Sequence, residues 1–457
     1  MRMVIFDIDC LRPDHLGCYG YNRPTSPNID AVARQGVVFD RYYCADSPCL
    51  PSRMNWSSGR FGIRNGVVSN LGAGAKFYIR TRNYGGPQPD NEMLMRRLRK
   101  ANVYPVSFSN FADRHNMFWF ECGWAEFHTP NLKGGGETAP EIHEPLMRWL
   151  NHNADRENYI LHINYWDTHR IYKMDASWAD RFKDYPVTQP WPDEDAIRRH
   201  QHIKGPFTAL AQFANGKSPV PLMPDAIRSR KDFEHMVTGY DAAIAYVDHH
   251  VGIVLNYLAD RGLLDETAII VTSDHGDAFG EHGIYSDHVN ADECIHHIPL
   301  IVKWPGVTKP GTRCGSMLYN IDLSPTLCEL FGAEIPEDWD GISFAPQLRG
   351  EPPKKERDRL VWGHALYTVQ RAVRTKTHLF IQTFDNMGYP HEEIELYDMV
   401  KDPYQTTNIA SERQDIVCEC RDYWMNQWLE EQKSKPHWQG DPFDAVLAER
   451  KAVKSQK

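Results

Sequence analysis

The chain reads as an α/β protein built on a mostly parallel sheet, followed by a smaller unit with an antiparallel sheet and one helix. Three observations predict this. Short apolar runs alternate with helix-length amphipathic stretches through the first three quarters of the chain. Acidic residues stand at the ends of two of those runs, where a parallel sheet places its ligand edge. Past the charged, proline-bearing segment "RGEPPKKERDR", the long helical stretches give way to brief strand-like runs.

Taken in order, Val4 to Ile8 is the first buried strand. Ser26-Pro27 opens a helix that Gly36 ends, and Val37 to Tyr43 is the next strand. A helix with Pro51 as its first residue follows, then a helix over Asp90 to Lys100 and a strand over Val103 to Phe108. Glu137 to Asn153 is helical and Tyr159 to Asn164 is a strand. Residues 170–228 are rich in Pro, Trp and charge without a clear period, and read as an inserted excursion beside a substrate pocket. Its Trp178 and Trp191 suit either stacking on sugar rings or packing in a core. A long helix from about Lys231 to Arg261 leads to the strand Thr267 to Thr272. After the linker come Leu360 to Trp362, Val369 to Arg374, His378 to Thr383, Ile394 to Tyr397, and a helix from about Glu412 to Gln432. The expected division is a domain over 1–350, carrying the excursion, and an α+β subdomain over 351–457.

Composition narrows the class. The chain has 457 residues, 41% apolar and 25% charged, enough for one large core and a smaller second unit. Net charge is −10, with no Lys/Arg-rich stripe, which excludes nucleic acid as a partner. No apolar run reaches the length of a membrane span. Only four apolar residues precede Asp7, too few for a secretory core, and the initiator Met is in place. The ten cysteines show no framework spacing. Reduced thiols in the cytoplasm are the expectation.

Residues 49–53, Cys-Leu-Pro-Ser-Arg, carry the sharpest chemical signal. A cysteine at a helix start with an arginine one turn later is an electropositive setting that favours anions. A buried structural cysteine is the plainer alternative. Asp9 and Cys10 stand where the first strand stops, and Asp274 and His275 where the Thr267 strand stops. Paired Asp oxygens at such an edge suit a hard divalent cation, Ca²⁺ first, with Mg²⁺ or Mn²⁺ as alternatives. Either acid alone would read as a helix cap.

Cys49-x-Pro51-Ser52-Arg53 resembles the signature of type I sulfatases, in which the cysteine is oxidised after translation to formylglycine. The resemblance extends over most of the chain. "DCLRPDHLGCYGYNRPTSPNIDAVARQGVVFDRYYCADSPCLPSR" is similar to the family's N-terminal block, and "NYWDTHRIY" to its mid-chain segment. "SDHGDAFGEHG", "HHIPLIVKWPG", "NIDLSPTLCELFG" and "ELYDMVKDPYQTTNIA" resemble its later landmarks. The resemblance implies the alkaline-phosphatase-like α/β sandwich with a small C-terminal domain. It implies Cys49 as formylglycine precursor, nucleophile and metal-facing group, with Asp9, Asp274 and His275 as further metal ligands. Arg53 would hold the nucleophile and a sulfate oxygen, and His169 would protonate the leaving alcohol. A formylglycine-generating enzyme or anaerobic maturase is the implied partner.

The sequence also departs from the family. Cys10 stands where a second Asp is usual; a thiol is a poor Ca²⁺ ligand, so either Cys10 abstains or Asp7, on the same strand face as Asp9, contributes. Asn110 and Asp287 stand where the family has lysines, with His115 and His288 as the replacements. The leading expectation is hydrolysis of a sulfate monoester on a small sugar or oligosaccharide. A phosphonate monoester or phosphodiester hydrolase with the same nucleophile is the alternative, and a non-catalytic sulfatase-like binding protein the third reading.

Overall fold

A computed structural model describes residues 1–78, 93–205, 216–436 and 438–455. Its centre is an eight-stranded sheet of β1 (Arg2–Ile8), β2 (Val37–Phe39), β3 (Tyr104–Phe108), β4 (Glu126–His128), β5 (Tyr159–Tyr165), β6 (Thr267–Thr272), β7 (Leu300–Lys303) and β8 (Thr312–Cys314). The spatial order is β8-β2-β7-β6-β1-β5-β3-β4. Neighbours run parallel except β7, which is antiparallel to both β6 and β2. The mostly parallel α/β architecture expected from the sequence is the one observed.

β1 lies between β5 and β6, and Asp7 is opposite Asn164 on one side and Thr272 on the other. Three consecutive positions in space therefore send their following loops off the same edge. Those loops carry Asp9–Cys10, Trp166–His169 and Asp274–His275. Strand periodicity then sorts the faces. Val4, Phe6 and Ile8 join one core with α3 (Ala139–Asn153) and α4 (Arg230–Asp260), packing with Leu146, Trp149, Met236 and Tyr240. Met3 and Ile5 join the other with Cys49, Leu50 and Met54 of α2 (Cys49–Ser58); α1 is Pro27–Arg34. Asp7 has the parity of Met3 and Ile5, so it faces α2. Burial on both faces is why these strands read as continuous apolar runs rather than alternating ones.

The C-terminal sheet is a meander of β9 (Arg359–His364), β10 (Val369–Thr375), β11 (His378–Asp385) and β12 (Ile394–Asp398). Its fifth strand is Asp46–Ser47, paired parallel to β9. The chain just ahead of Cys49 is thus pinned to the small sheet. Tyr43, Phe61 and Ile63 share a core with Trp362, Phe380 and Trp428.

Several boundaries differ from expectation. The run Val37 to Tyr43 splits: β2 stops at Phe39, and Tyr42–Tyr43 pairs with Leu318–Tyr319 in a separate two-stranded sheet. α2 begins at Cys49, so Pro51 is its third residue, where a missing N–H still costs nothing. The helix expected from Asp90 is observed over Leu94–Lys100, with 90–92 outside the described residues. The closing helix starts at Gln414, passes a wide turn over Tyr423–Trp428 and ends at Ser434. A final helix, Pro442–Lys454, was not anticipated; its Phe443 and Val446 pack on Val68, Ala365 and Val369. In the excursion, Trp178 packs edge-on against Tyr246 of α4, and Trp191 donates its indole N–H to Gly280. Both tryptophans serve packing.

Candidate active site

The N-terminus of α2 meets the carboxyl edge of the sheet. Cys49, its first residue, is buried with Sγ 3.2 Å from His275 Nε2. Arg53, one turn later, is fully buried and donates to three carboxylates. Nε and Nη2 reach Asp7 at 2.8 and 3.2 Å, while Nη1 reaches Asp9 at 3.0 Å and Asp274 at 2.6 Å. His162 also approaches Asp7, at 3.2 Å. Asp7 is therefore committed to Arg53 and His162. Asp9, Cys49, Asp274 and His275 each offer one ligand atom within 4.8 Å of the others, and all four are buried.

Electrostatics tests whether these residues suit a cation. Against burial, which raises it, Arg53 and His162 hold the Asp7 carboxyl down at about 2. Burial pushes Asp274 up to about 6 even with Arg53 alongside, because Asp9 and Asp7 crowd it. Three buried carboxylates facing one guanidinium leave negative charge that a divalent ion would neutralise. Two carboxylates and an imidazole fit a hard divalent cation. Burial and Asp9 also raise the Cys49 thiol above its usual value. Burial, with Asp9 alongside, outweighs the electropositive helix start expected from sequence, so the thiol is a poor nucleophile.

Cys10 hydrogen-bonds to both acids. Its backbone N–H donates to Asp274 Oδ1 at 3.2 Å, and its thiol to Asp9 Oδ1 at 3.0 Å. The turn is held from α4, where the Tyr240 hydroxyl donates to the Cys10 carbonyl and accepts from the Arg12 amide.

The other histidines ring this centre. The His288 ring lies tilted 4.4 Å from that of His275 and has Nδ1 2.7 Å from Asp277 Oδ1. His169 lies 5.7 Å from His288, ring to ring. Its Nδ1–H donates to the Arg170 carbonyl at 2.6 Å, which leaves Nε2 to accept from Arg114 at 3.4 Å. Burial and Arg114 push His169 well below the usual imidazole range; burial and His275 do the same to His288. His115 is pushed down to about 3 by burial and Arg114, and its Nε2 is buried without a hydrogen-bond partner.

At the expected lysine positions, Asn110 donates to the Asn131 carbonyl, and Asp287 pairs with Arg170 at 2.7 Å. Positive charge comes instead from Arg114 and Arg170, which sequence reasoning missed. Arg114 lies one helical turn after Asn110, its guanidinium 4.7 Å from the Trp166 ring, and Arg53 covers the same ring at 5.4 Å. Asp277, also missed, was readable in "SDHGD" only as one more acid.

The Sulfatase family profile matches residues 3–333, and "N-sulphoglucosamine sulphohydrolase, C-terminal" matches residues 280–432. The chain is 22% identical to an N-acetylglucosamine-6-O-sulfatase of Bacteroides thetaiotaomicron, covering 86% of this chain and 80% of that protein. It is 26% identical to a Delta 4,5-hexuronate-2-O-sulfatase of the same organism, covering 90% and 85%. Among solved structures, one in complex with its substrate D-glucosamine-2-N,6-O-disulfate superimposes with TM-score 0.75 at 20% identity, over 95% of this chain and 98% of that one. A phosphonate monoester hydrolase of Agrobacterium radiobacter gives 0.70 at 19% identity, covering 95% of each chain. The structural likenesses establish the fold.

Proposed function

The chain belongs to the sulfatase family of the alkaline phosphatase superfamily, and from that premise we propose that it cleaves the sulfate monoester of a small sugar through a formylglycine made from Cys49. The observation that carries the reading is Cys49 at the first position of α2, 3.2 Å from His275 and within one cation's reach of Asp9 and Asp274. Asp9, Asp274, His275 and the position-49 oxygen would hold the cation, Ca²⁺ first. When present, the cation supplies Lewis-acid charge at the ester oxygens, and the hydrated aldehyde supplies the attacking hydroxyl.

The chain's own side chains supply the rest. Cys49 Sγ stands in for the oxygen of the matured side chain, and His275 Nε2, 3.2 Å from it, would share the cation with that oxygen. Arg53 donates to Asp7, Asp9 and Asp274 and holds them in alignment. Arg114 and Arg170 replace the positive charge that the absent lysines would bring to an anionic ester. His169 Nε2 accepts from Arg114 in the free site; an anion that draws Arg114 to itself frees that nitrogen and raises its basicity, turning it into the acid for a leaving alkoxide. His288, oriented by Asp277, is the rival acid.

Sugar as the leaving group is supported by the activities of the two Bacteroides thetaiotaomicron relatives. Tyr367, beside Arg170, lies 6.3 Å from Tyr389, whose ring carries the Lys204 ammonium at 4.3 Å. Aromatic faces beside cations suit a sugar ring. A maturase partner and a reducing, cytoplasmic setting fit the ten free cysteines. Among the described residues no helix is long and apolar enough to cross a membrane. The loss of lysine at Asn110 and Asp287 favours one second reading, a phosphonate monoester hydrolase.

The test is a panel of sulfated mono- and disaccharides, an aryl sulfate and a phosphonate monoester, run on protein co-expressed with a maturase. Turnover of a sugar sulfate, with the Cys49 peptide showing the aldehyde mass, is expected. Faster turnover of the phosphonate would move the assignment to the second reading. An unmodified Cys49 peptide with no turnover of any ester would leave a binding protein.

A further inference from the structure

Cys10 is held in the left-handed backbone region, at φ 57°, at the mouth of the central strand. That conformation is uncommon outside Gly, Asn and Asp, and it turns a thiol into the polar centre. Sγ lies 3.9 Å from His275 Nδ1, on the side of that ring opposite the nitrogen facing Cys49. Cys10, His275, Asp277 and His288 each offer a ligand atom within 4.8 Å of the others, and all are buried. This set shares only His275 with the Asp9–Cys49–Asp274 set. A second observation points to a ligand. Asp277 is wholly buried; one carboxylate oxygen binds His288, and the other, Oδ2, has no hydrogen-bond partner. A buried carboxylate oxygen left bare costs on the order of 1–3 kcal/mol unless something fills the gap.

The donor chemistry decides what fits. Ca²⁺ takes about 6–8 oxygen ligands, which a thiol, two imidazoles and one carboxylate cannot supply. Four donors of S, N, N and O type are the tetrahedral complement of Zn²⁺. We propose that Cys10, His275, Asp277 and His288 form a second metal site that takes a thiophilic divalent cation, Zn²⁺ above all, beside the hard-cation site. Binding exchanges the Cys10 thiol proton for the cation and releases that proton to solvent. Because His275 belongs to both sets through opposite nitrogens, filling this site takes Nδ1 from the Gly276 carbonyl, perturbs the ring that faces position 49, and takes His288 out of proton transfer. Zinc here is an off-switch. The inference stands apart from the sulfatase reading, since metal binding is measured without any substrate.

The experiment uses the full chain carrying Cys49→Ala, so that Cys10 is the thiol beside His275. With Ca²⁺ in excess, Co²⁺ is titrated as the probe and followed by absorption and metal analysis. One equivalent of Co²⁺ with thiolate-to-cobalt charge-transfer absorption, displaced by Zn²⁺, is expected. Adding Cys10→Ser should abolish the band and weaken Co²⁺ binding by roughly 10–100-fold, the range for losing a metal's supporting group, while Ca²⁺ binding persists. No charge-transfer band in the Cys49→Ala protein, or an unchanged one after Cys10→Ser, would overturn the proposal. Should Cys10→Ser fail to fold, Asp277→Asn decides: it keeps the thiol, and unchanged Co²⁺ affinity would equally overturn the site.

Discussion

At the smallest scale the proposed chemistry rests on Cys49 and His169. Cys49 is buried against His275, and its thiol is pushed up rather than down. On the proposed reading its value lies in the formylglycine it would become, not in thiolate reactivity. Cys49→Ala should abolish turnover of every ester while thermal stability stays close to the parent, because alanine removes one sulfur from a helix start that a neighbouring polar centre supports. Turnover comparable to the parent would sink the nucleophile assignment. His169 presents a different question, since its Nε2 accepts from Arg114 and its neutral form is favoured by burial. A sugar alkoxide is a poor leaving group and needs a proton; nitrophenolate hardly does. His169→Ala should therefore slow sugar sulfate hydrolysis by roughly 10²–10⁴-fold, with a clearly smaller loss on an aryl sulfate. An equal loss on both substrates would make His169 a binding group and move the acid to the Asp277–His288 pair.

At the scale of elements, the two-residue strand Asp46–Ser47 links the small sheet to the start of α2. Asp46 accepts from the Gly62 amide at 2.7 Å and from Asn55 Nδ2 at 2.9 Å, through the same oxygen. Burial nonetheless raises its carboxyl from 3.8 to about 7. A folded-state value above the unfolded one means that stability is fully present below about pH 4 and is lost as pH rises through 7, at about 1.4 kcal/mol for each pH step of one across that window. Asp46→Asn keeps an oxygen for both donors and removes the titration. Melting temperature should fall less between pH 5 and 8 in the variant than in the parent; parallel curves would show that Asp46 stays ionised. Much of this level was legible in the sequence, because buried parallel strands such as β1 and β6 read as unbroken apolar runs with acids behind them. Arg114, Arg170 and Asp277 were not, since each acquires its role from partners on other segments of the chain. The register that brings residue 7 opposite residues 164 and 272 is a property of the sheet, not of any local window. The helix Pro442–Lys454 escaped for another reason. Its buried residues are Pro442, Phe443 and Val446, too few to make a period.

At the scale of the whole molecule, the charge of the site is assembled from residues far apart in the chain. Asp7, Asp9 and Asp274 meet Arg53 only when the first strand, α2 and the Thr267 strand are docked. The unfolded chain cannot offer that arrangement, so a cation bound there stabilises the folded state by mass action. At a concentration 100 times the dissociation constant this is about 2.7 kcal/mol. In a chain of 457 residues a gain of that size raises the melting temperature by no more than a few degrees, because the unfolding entropy grows with length. Adding Ca²⁺ to chelator-treated Cys49→Ala protein should therefore raise the transition in a saturable way, without any substrate present. Asp274→Asn should remove most of that rise, since it takes away a charged ligand for which no neighbour substitutes. Arg53 also loses a carboxylate partner in this variant, so its cation-free transition is the proper baseline, and only the increment from Ca²⁺ is compared. An identical increment in Asp274→Asn would place the cation elsewhere. No increment in the parent, over concentrations where metal analysis finds no bound ion, would mean that Arg53 alone balances the three carboxylates.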